Sequence, residues 1–435
     1  MLCFDFLFLP HIKLANISAL KNAFTKAIVS IEDARAKVFE IVGARSCRRE
    51  SEIIDFAHDP PIALGRVLAE NIVGDRNYPP FDRSIRDGFA VRAQDATEPG
   101  ARLRIIGESR AGVAFDGTLG EGECVRIFTG APIPRGANAV VMQEFARVEG
   151  AFAFIDHPAL PSQNYVLAGA ESRVGEVVIT KGTRLGSAEL AMAAQVGRTR
   201  IEVARRPRVA ILTTGDEIVA VDQKPGPFQI RNSNATSLAG LVWMAGGEPV
   251  ICENAPDDIE KLRAQIERAL EADVLVLSGG VSVGQYDFVE EVLRAQGAEF
   301  FFDAVALRPG KPAVFGWCKG KPVFGLPGNP VSTMITFELF VRAAIESLTG
   351  RPPRPVAYLK AKLAHPVKER SPLTHFLPAR VRQTGGDPVV ERLHWEGSGD
   401  IGAVVRGNCF LVVHPNRLEL EAGEWVDVLH RRGAL

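Results

Sequence analysis

DVLVLSGGVSVGQYD, residues 273–287, sets the fold. Five residues, four of them apolar, stop abruptly at a glycine-rich loop, and a helix-like pattern follows. A short apolar run bounded by glycine is the mark of a strand buried on both faces. The same plan recurs in PRVAILTTGDE (207–217) and KPVFGLPGNPVS (321–332). Between these stretches the pattern alternates. It predicts strand 208–213, helix 234–245, strand 248–252, helix 257–271, strand 273–278 and helix 288–296. Strands near 299–307, 312–316 and 321–325 follow, then a long helix over 331–348. Strands separated by helices imply a mainly parallel, doubly covered sheet, and ligands sit beyond the carboxyl ends of such strands.

The loops suit an oxyanion. Glycine lets backbone N–H groups approach an anion closely, and a helix N-terminus favours negative charge. Thr213, Thr214 and Gly215 in the first loop offer hydroxyls and amides to phosphate. Ser278, Gly279, Gly280, Ser282 and Gly284 offer a cradle in the second. In the third, Pro327, Gly328 and Pro330 shape the chain while Asn329 and Ser332 can donate where the next helix begins. The carboxylates Asp216, Glu217 and Asp287 would repel a bare anion, so a bound cation belongs to the site. No GK[ST] closes the second loop, so it is not a Walker motif. LRPGKP (307–312) adds Arg308 and Lys311 on a stiff turn, a pair suited to a small oxyanion. Taken singly, each has an ordinary reading as a cap or a solvated turn.

The rest of the 435-residue chain bounds the possibilities. With 51 basic and 52 acidic residues, it has no electrostatic footprint for nucleic acid or an anionic membrane surface. Apolar residues make up 46%, enough for globular cores, and no apolar run is long enough to span a bilayer. The N-terminal MLCFDFLFLPHIKL lacks the basic start of a signal peptide. Six scattered cysteines form no CxxC or zinc spacing, and eight histidines form no HExxH. Reduced thiols in a cytoplasmic protein are the expectation. Ser30 caps a predicted helix over 30–44, and another is expected over 61–71. Residues 74–166 read as a β module, 187–197 as a helix, and the segment after RPPRP (351–355) as a small β sandwich or barrel.

Two further segments, PPFDRSIRDGFAV (79–91) and IFTGAPIPRGANAVV (127–141), complete an ordered set with TTGDE, SGGVSVGQYD, LRPGKP and LPGNPVS. From about Ser30 onward this set resembles the molybdopterin molybdenumtransferases, the family of MoeA and the gephyrin E domain. The resemblance implies a multidomain α/β plus β protein. Residues 1–29 would be an extension. A discontinuous elongated linker and dimerisation domain would cover 30–73 and 167–205, with the β module 74–166 inserted. A molybdopterin-binding α/β domain similar to MogA would cover 206–354, and a small barrel-like β domain 355–435. It also implies a homodimer whose active site is shared between subunits, working beside a molybdopterin adenylyltransferase and molybdoenzyme-maturation proteins.

The implied reaction transfers molybdenum from molybdate to adenylylated molybdopterin, with Mg²⁺ assisting and AMP released. By motif position, Asp87, Thr129, Glu217 and Asp287 would be catalytic. Glu217, Asp257, Asp287 and Glu171 would be metal-binding, and Arg308, Lys311 and Ser398 molybdate-binding. Related readings are an adenylyltransferase acting on molybdopterin itself and a gephyrin-like non-catalytic scaffold. The chain departs from the family pattern at Arg83 (usually Asn), Arg86, Glu171 (usually Asp) and Pro378 (often Arg), with Arg380 a candidate substitute for the last.

Overall fold

A computed structural model of the chain describes residues 28–46, 50–280, 288–383 and 385–431. Residues 1–27 of the extension 1–29 and three site candidates, Ser282, Gly284 and Asp287, lie outside the described residues. The chain forms two compact units, one from residues 52–203 and one from the segments on either side.

The unit built from the flanking segments contains a six-stranded sheet. Its order is Glu248–Ile251, Arg208–Thr213, Val274–Ser278, Lys321–Leu326, Val314–Cys318, Glu299–Phe302. The first four strands are parallel; Val314–Cys318 runs against them, and Glu299–Phe302 pairs antiparallel with it. Thr213 pairs with Ser278, and Ser278 with Leu326, so the three loops leave the sheet side by side.

Strand alternation sorts the core into two faces. Val209, Ile211, Val274, Val276 and Phe324 pack on one side with helix Ser233–Ala245 and the run from Pro330 to Leu348. Ala210, Leu212, Leu275, Leu277 and Val323 pack on the other with helices Ile259–Ala269 and Phe288–Ala295. The run 331–348 is not one uniform helix: Phe337–Val341 forms a π turn within it.

Helix Ile31–Arg45 begins as expected, Ser30 accepting the Asp33 N–H at 3.0 Å. Ile31, Ala34, Val38 and Val42 of this helix pack in the α/β core, and Arg35 donates to the Leu339 carbonyl of the π turn. A π turn frees carbonyls from the i→i+4 ladder, and a buried guanidinium satisfies one here.

Strands Thr374–Arg382, Val389–Arg392, Leu359–Leu363, Trp425–His430 and Cys409–Val413 close on themselves as a five-stranded barrel. Leu363, Leu377, Ala379, Leu411 and Val428 fill it. The short strand Leu307–Arg308 runs parallel to Thr374–His375, tying the LRPGKP turn to the barrel.

In the second unit a six-stranded sheet is ordered Ala139–Met142, Gly88–Val91, Glu123–Ile127, Ala101–Ser109, Phe152–Ile155, Ala146–Glu149. Two-stranded ladders join Ile72–Val73 to Val177–Ile179 and Arg83–Ser84 to Tyr165–Val166. Helix Ser187–Gln195 forms where expected, and Glu189 accepts the Gly186 N–H at 2.8 Å. The helix expected over 61–71 does not form. A 3₁₀ turn at Pro60–Ala63 ends before Gly65, whose φ is +74°, and Val67 and Leu68 then make β-bridges to Arg184 and Val203. Glycine at positive φ breaks the helix that the apolar spacing suggested.

Candidate functional site

At the carboxyl ends of the parallel strands lies a cavity of about 700 Å³. Its walls include Thr213, Thr214, Gly215, Glu217, Ser278, Gly279, Gly280 and the turn Pro327–Pro330, residues singled out in the sequence. Asp257 and Pro312, next to Lys311, also reach it. Two further contributions escape the sequence reading: Asn232 and Asn234 at the start of helix Ser233–Ala245, and Gly399 and Ile401 from the barrel. Asn232 was legible as an N-cap before an apolar helix. The barrel loop was marked only by Ser398, through the resemblance; its neighbours Gly399 and Ile401 line the cavity, and the Val331 N–H donates to the Ser398 carbonyl at 3.0 Å.

The hydroxyls at the strand ends are already engaged. Thr213 Oγ1 donates to Asn254 Oδ1 at 2.8 Å and accepts from Asn232 Nδ2 at 2.8 Å. Asn254 in turn donates to the Gly215 carbonyl at 2.9 Å. Ser278 Oγ accepts from Asn234 Nδ2 at 2.9 Å and donates to the Pro327 carbonyl at 3.4 Å. Thr213 and Ser278, both 3% exposed, therefore hold the loops together while lining the cavity. Ser332 is also buried, and its carbonyl accepts from Thr336 Oγ1. Gly279 has φ +95°, and a Cβ there would lie 2.9 Å from the Thr214 carbonyl oxygen, so the two loops touch backbone to backbone.

Acidity concentrates at one end. The Asp257 N–H donates to Asp216 Oδ1 at 3.1 Å, and burial together with the charges of Asp216 and Glu217 pushes the Asp257 carboxyl up from its ordinary value. Crowded carboxylates of this kind are relieved by a cation. Among the described residues no group of three His, Cys, Asp or Glu closes a metal cage. The donors fit a cation that keeps much of its water, as Mg²⁺ does. Arg308 and Lys311 are exposed on their turn. The Arg380 guanidinium donates to the Arg406 carbonyl, with Nε at 3.0 Å, at the end of helix Ile401–Arg406.

The second unit carries its own acid. Thr129 donates to Asp87 Oδ1 twice, from N at 2.7 Å and from Oγ1 at 2.8 Å, and these bonds hold the Asp87 carboxyl below its usual range. Gly88 follows because a Cβ there would lie 1.9 Å from the Val141 carbonyl oxygen. Two of the departures from the family pattern meet: Arg83 Nη2 lies 2.7 Å from Glu171 Oε1. The longer Glu reaches the cation that replaces Asn, so Glu171 has a protein partner here.

Known proteins match most of the chain. Residues 29–197 match the MoeA N-terminal region (domains I and II), 210–347 a probable molybdopterin-binding domain, and 360–430 the MoeA C-terminal region (domain IV). A molybdopterin molybdenumtransferase of Staphylococcus aureus is 34% identical over 373 residues, 84% of this chain and 89% of that protein. A MoeA molybdopterin-biosynthesis protein of Pyrococcus horikosii superposes with a TM-score of 0.70 at 33% identity, covering 94% of this chain and 100% of that one. Another, from Pyrococcus horikoshii OT3, gives 0.75 at 28% identity, covering 93% and 100%. The chain belongs to the MoeA family of molybdopterin molybdenumtransferases.

Proposed function

We propose that this protein transfers molybdenum from molybdate to adenylylated molybdopterin and releases AMP. One observation carries the reading: the glycine-rich loops at the carboxyl ends of the parallel strands enclose a cavity with carboxylates at its edge, in a chain related to molybdenumtransferases along most of its length. The adenylate phosphates lie against the amides of Gly279, Gly280 and Gly328. Glu217, Asp257 and Asp287 would hold Mg²⁺, which would supply charge neutralisation for the phosphates. Arg308 and Lys311, with Ser398 on the barrel loop, gather molybdate by charge and hydrogen bonding. Asp87 stays ionised because Thr129 stabilises the carboxylate, and the pair serves as acceptor and orienting group. In this reading the protein is a cytoplasmic homodimer, Asp87 and Thr129 complete the pocket of the other subunit, and a molybdopterin adenylyltransferase supplies the substrate. No described helix is long and apolar enough to cross a membrane.

The test supplies purified protein with adenylylated molybdopterin, molybdate and Mg²⁺. Molybdate-dependent AMP release and formation of active cofactor are expected, and both should vanish in Glu217→Ala with folding intact. Absence of AMP from the wild-type reaction refutes the assignment. Mixed dimers carrying Asp87→Ala on one chain and Asp287→Ala on the other should regain one working site; no recovery refutes the shared site alone.

A further inference from the structure

In the turn Pro327–Asn329 side chains hold the first two carbonyls. The Pro327 carbonyl accepts from Thr333 Oγ1 and from Ser278 Oγ. The Gly328 carbonyl accepts from Asn234 Nδ2 at 2.7 Å, and the Asn329 carbonyl takes the Thr333 backbone N–H at 3.0 Å. The Pro327–Gly328 and Gly328–Asn329 peptides are trans. In a planar trans peptide the C=O and the following N–H point in opposite directions. Holding the Gly328 carbonyl therefore aims the Asn329 N–H away from Asn234, and holding the Pro327 carbonyl does the same for the Gly328 N–H. Gly328 and Asn329 both stand on the cavity wall. The Asn234 amide has one orientation here, because a carbonyl oxygen only accepts and must face Nδ2.

We propose that Asn234 is a positioning residue for phosphate. Through the Gly328–Asn329 peptide it turns an amide donor toward a phosphate oxygen of the nucleotide, and Thr333 does the same for the preceding amide. The proposal rests on the nucleotide reading of the cavity given above. A reversed peptide would present a carbonyl oxygen, which repels phosphate, where a donor attracts it. Asn234→Asp is nearly isosteric but sets a carboxylate oxygen against the Gly328 carbonyl. It should reverse the peptide, whereas Asn234→Ala only releases it.

The experiment is calorimetric titration of the full chain with AMP and with adenosine, with thermal unfolding as the folding control. Asn234→Ala should weaken AMP about tenfold, in line with loss of one hydrogen bond's orienting effect, and leave adenosine unchanged. Asn234→Asp should weaken AMP further than Asn234→Ala. Equal loss of AMP and adenosine, a weaker effect from Asp than from Ala, or wild-type AMP binding in both variants overturns the proposal. If the wild-type protein binds neither AMP nor adenosine, the nucleotide reading itself falls.

Discussion

Replacing Asn232 by alanine removes two hydrogen bonds that meet at the cavity. The first is the helix cap: Asn232 Oδ1 accepts the Ala235 N–H at 3.0 Å and starts helix Ser233–Ala245. Losing an N-cap of this kind costs about 1 kcal/mol. The second is the bond from Asn232 Nδ2 to Thr213 Oγ1 at 2.8 Å, which fixes the end of the central strand Arg208–Thr213. A net hydrogen bond contributes about 1 kcal/mol. The two act on different partners, so Asn232→Ala should cost about 2 kcal/mol. For a domain of this size that lowers Tm by about 4–8 °C. Asn232→Asp separates the parts. Aspartate caps as well as asparagine, but it cannot donate to Thr213, so about half the loss should remain. Scanning calorimetry or urea unfolding of the full chain measures both variants. Equal losses for Ala and Asp, or a loss below about 0.5 kcal/mol for Ala, refute the idea that this side chain joins strand end to helix start.

Three other outcomes are expected. Gly88→Ala should destabilise by more than about 3 kcal/mol, because the new Cβ meets a backbone carbonyl at 1.9 Å rather than a movable side chain; urea unfolding of the full chain measures it. Thr129→Val removes one of the two bonds that hold the Asp87 pKa down, so that pKa should rise. On the proposed role of Asp87 as a carboxylate, the acid limb of the pH–rate profile should then move to higher pH, and an unmoved limb excludes Asp87 as the group titrating there. A double-mutant cycle on Arg83→Ala and Glu171→Ala should give a coupling of about 0.2–1 kcal/mol, the range for a solvent-exposed pair; zero coupling removes the ion pair as the reason for the two departures.

The parallel strands and their loops are legible in the sequence because each buried strand is a continuous apolar run stopped by glycine, a pattern that needs no partner to be recognised. Glu217 and the glycines follow from position in that pattern, whereas Asp257 comes only with the family resemblance. Local pattern misleads where distant contacts decide. The apolar spacing over 61–71 fits a helix, but Gly65 and bridges to Arg184 and Val203 give β structure. The spacing over 31–45 identifies a helix but not the core it joins, since amphipathicity says which face is buried and not against what.

The same division runs through the site. Sequence alone determined the order of the motifs, the family and the gathering of phosphate-type loops at one edge of a sheet. All of these depend on local pattern and on the rule that parallel strands end together. Only the tertiary structure decided which polar groups are spent on the protein itself. Thr213 and Ser278 have the chemistry of ligand donors, and they hold neighbouring loops. Asn232 and Asn234 carry no motif, and they orient the walls. Arg83 and Glu171 stand 88 residues apart as two separate oddities, and they are one ion pair. A hydroxyl or an amide has the same chemistry wherever it stands in the chain. Its partner is fixed by distances of about 3 Å, and those exist only after folding.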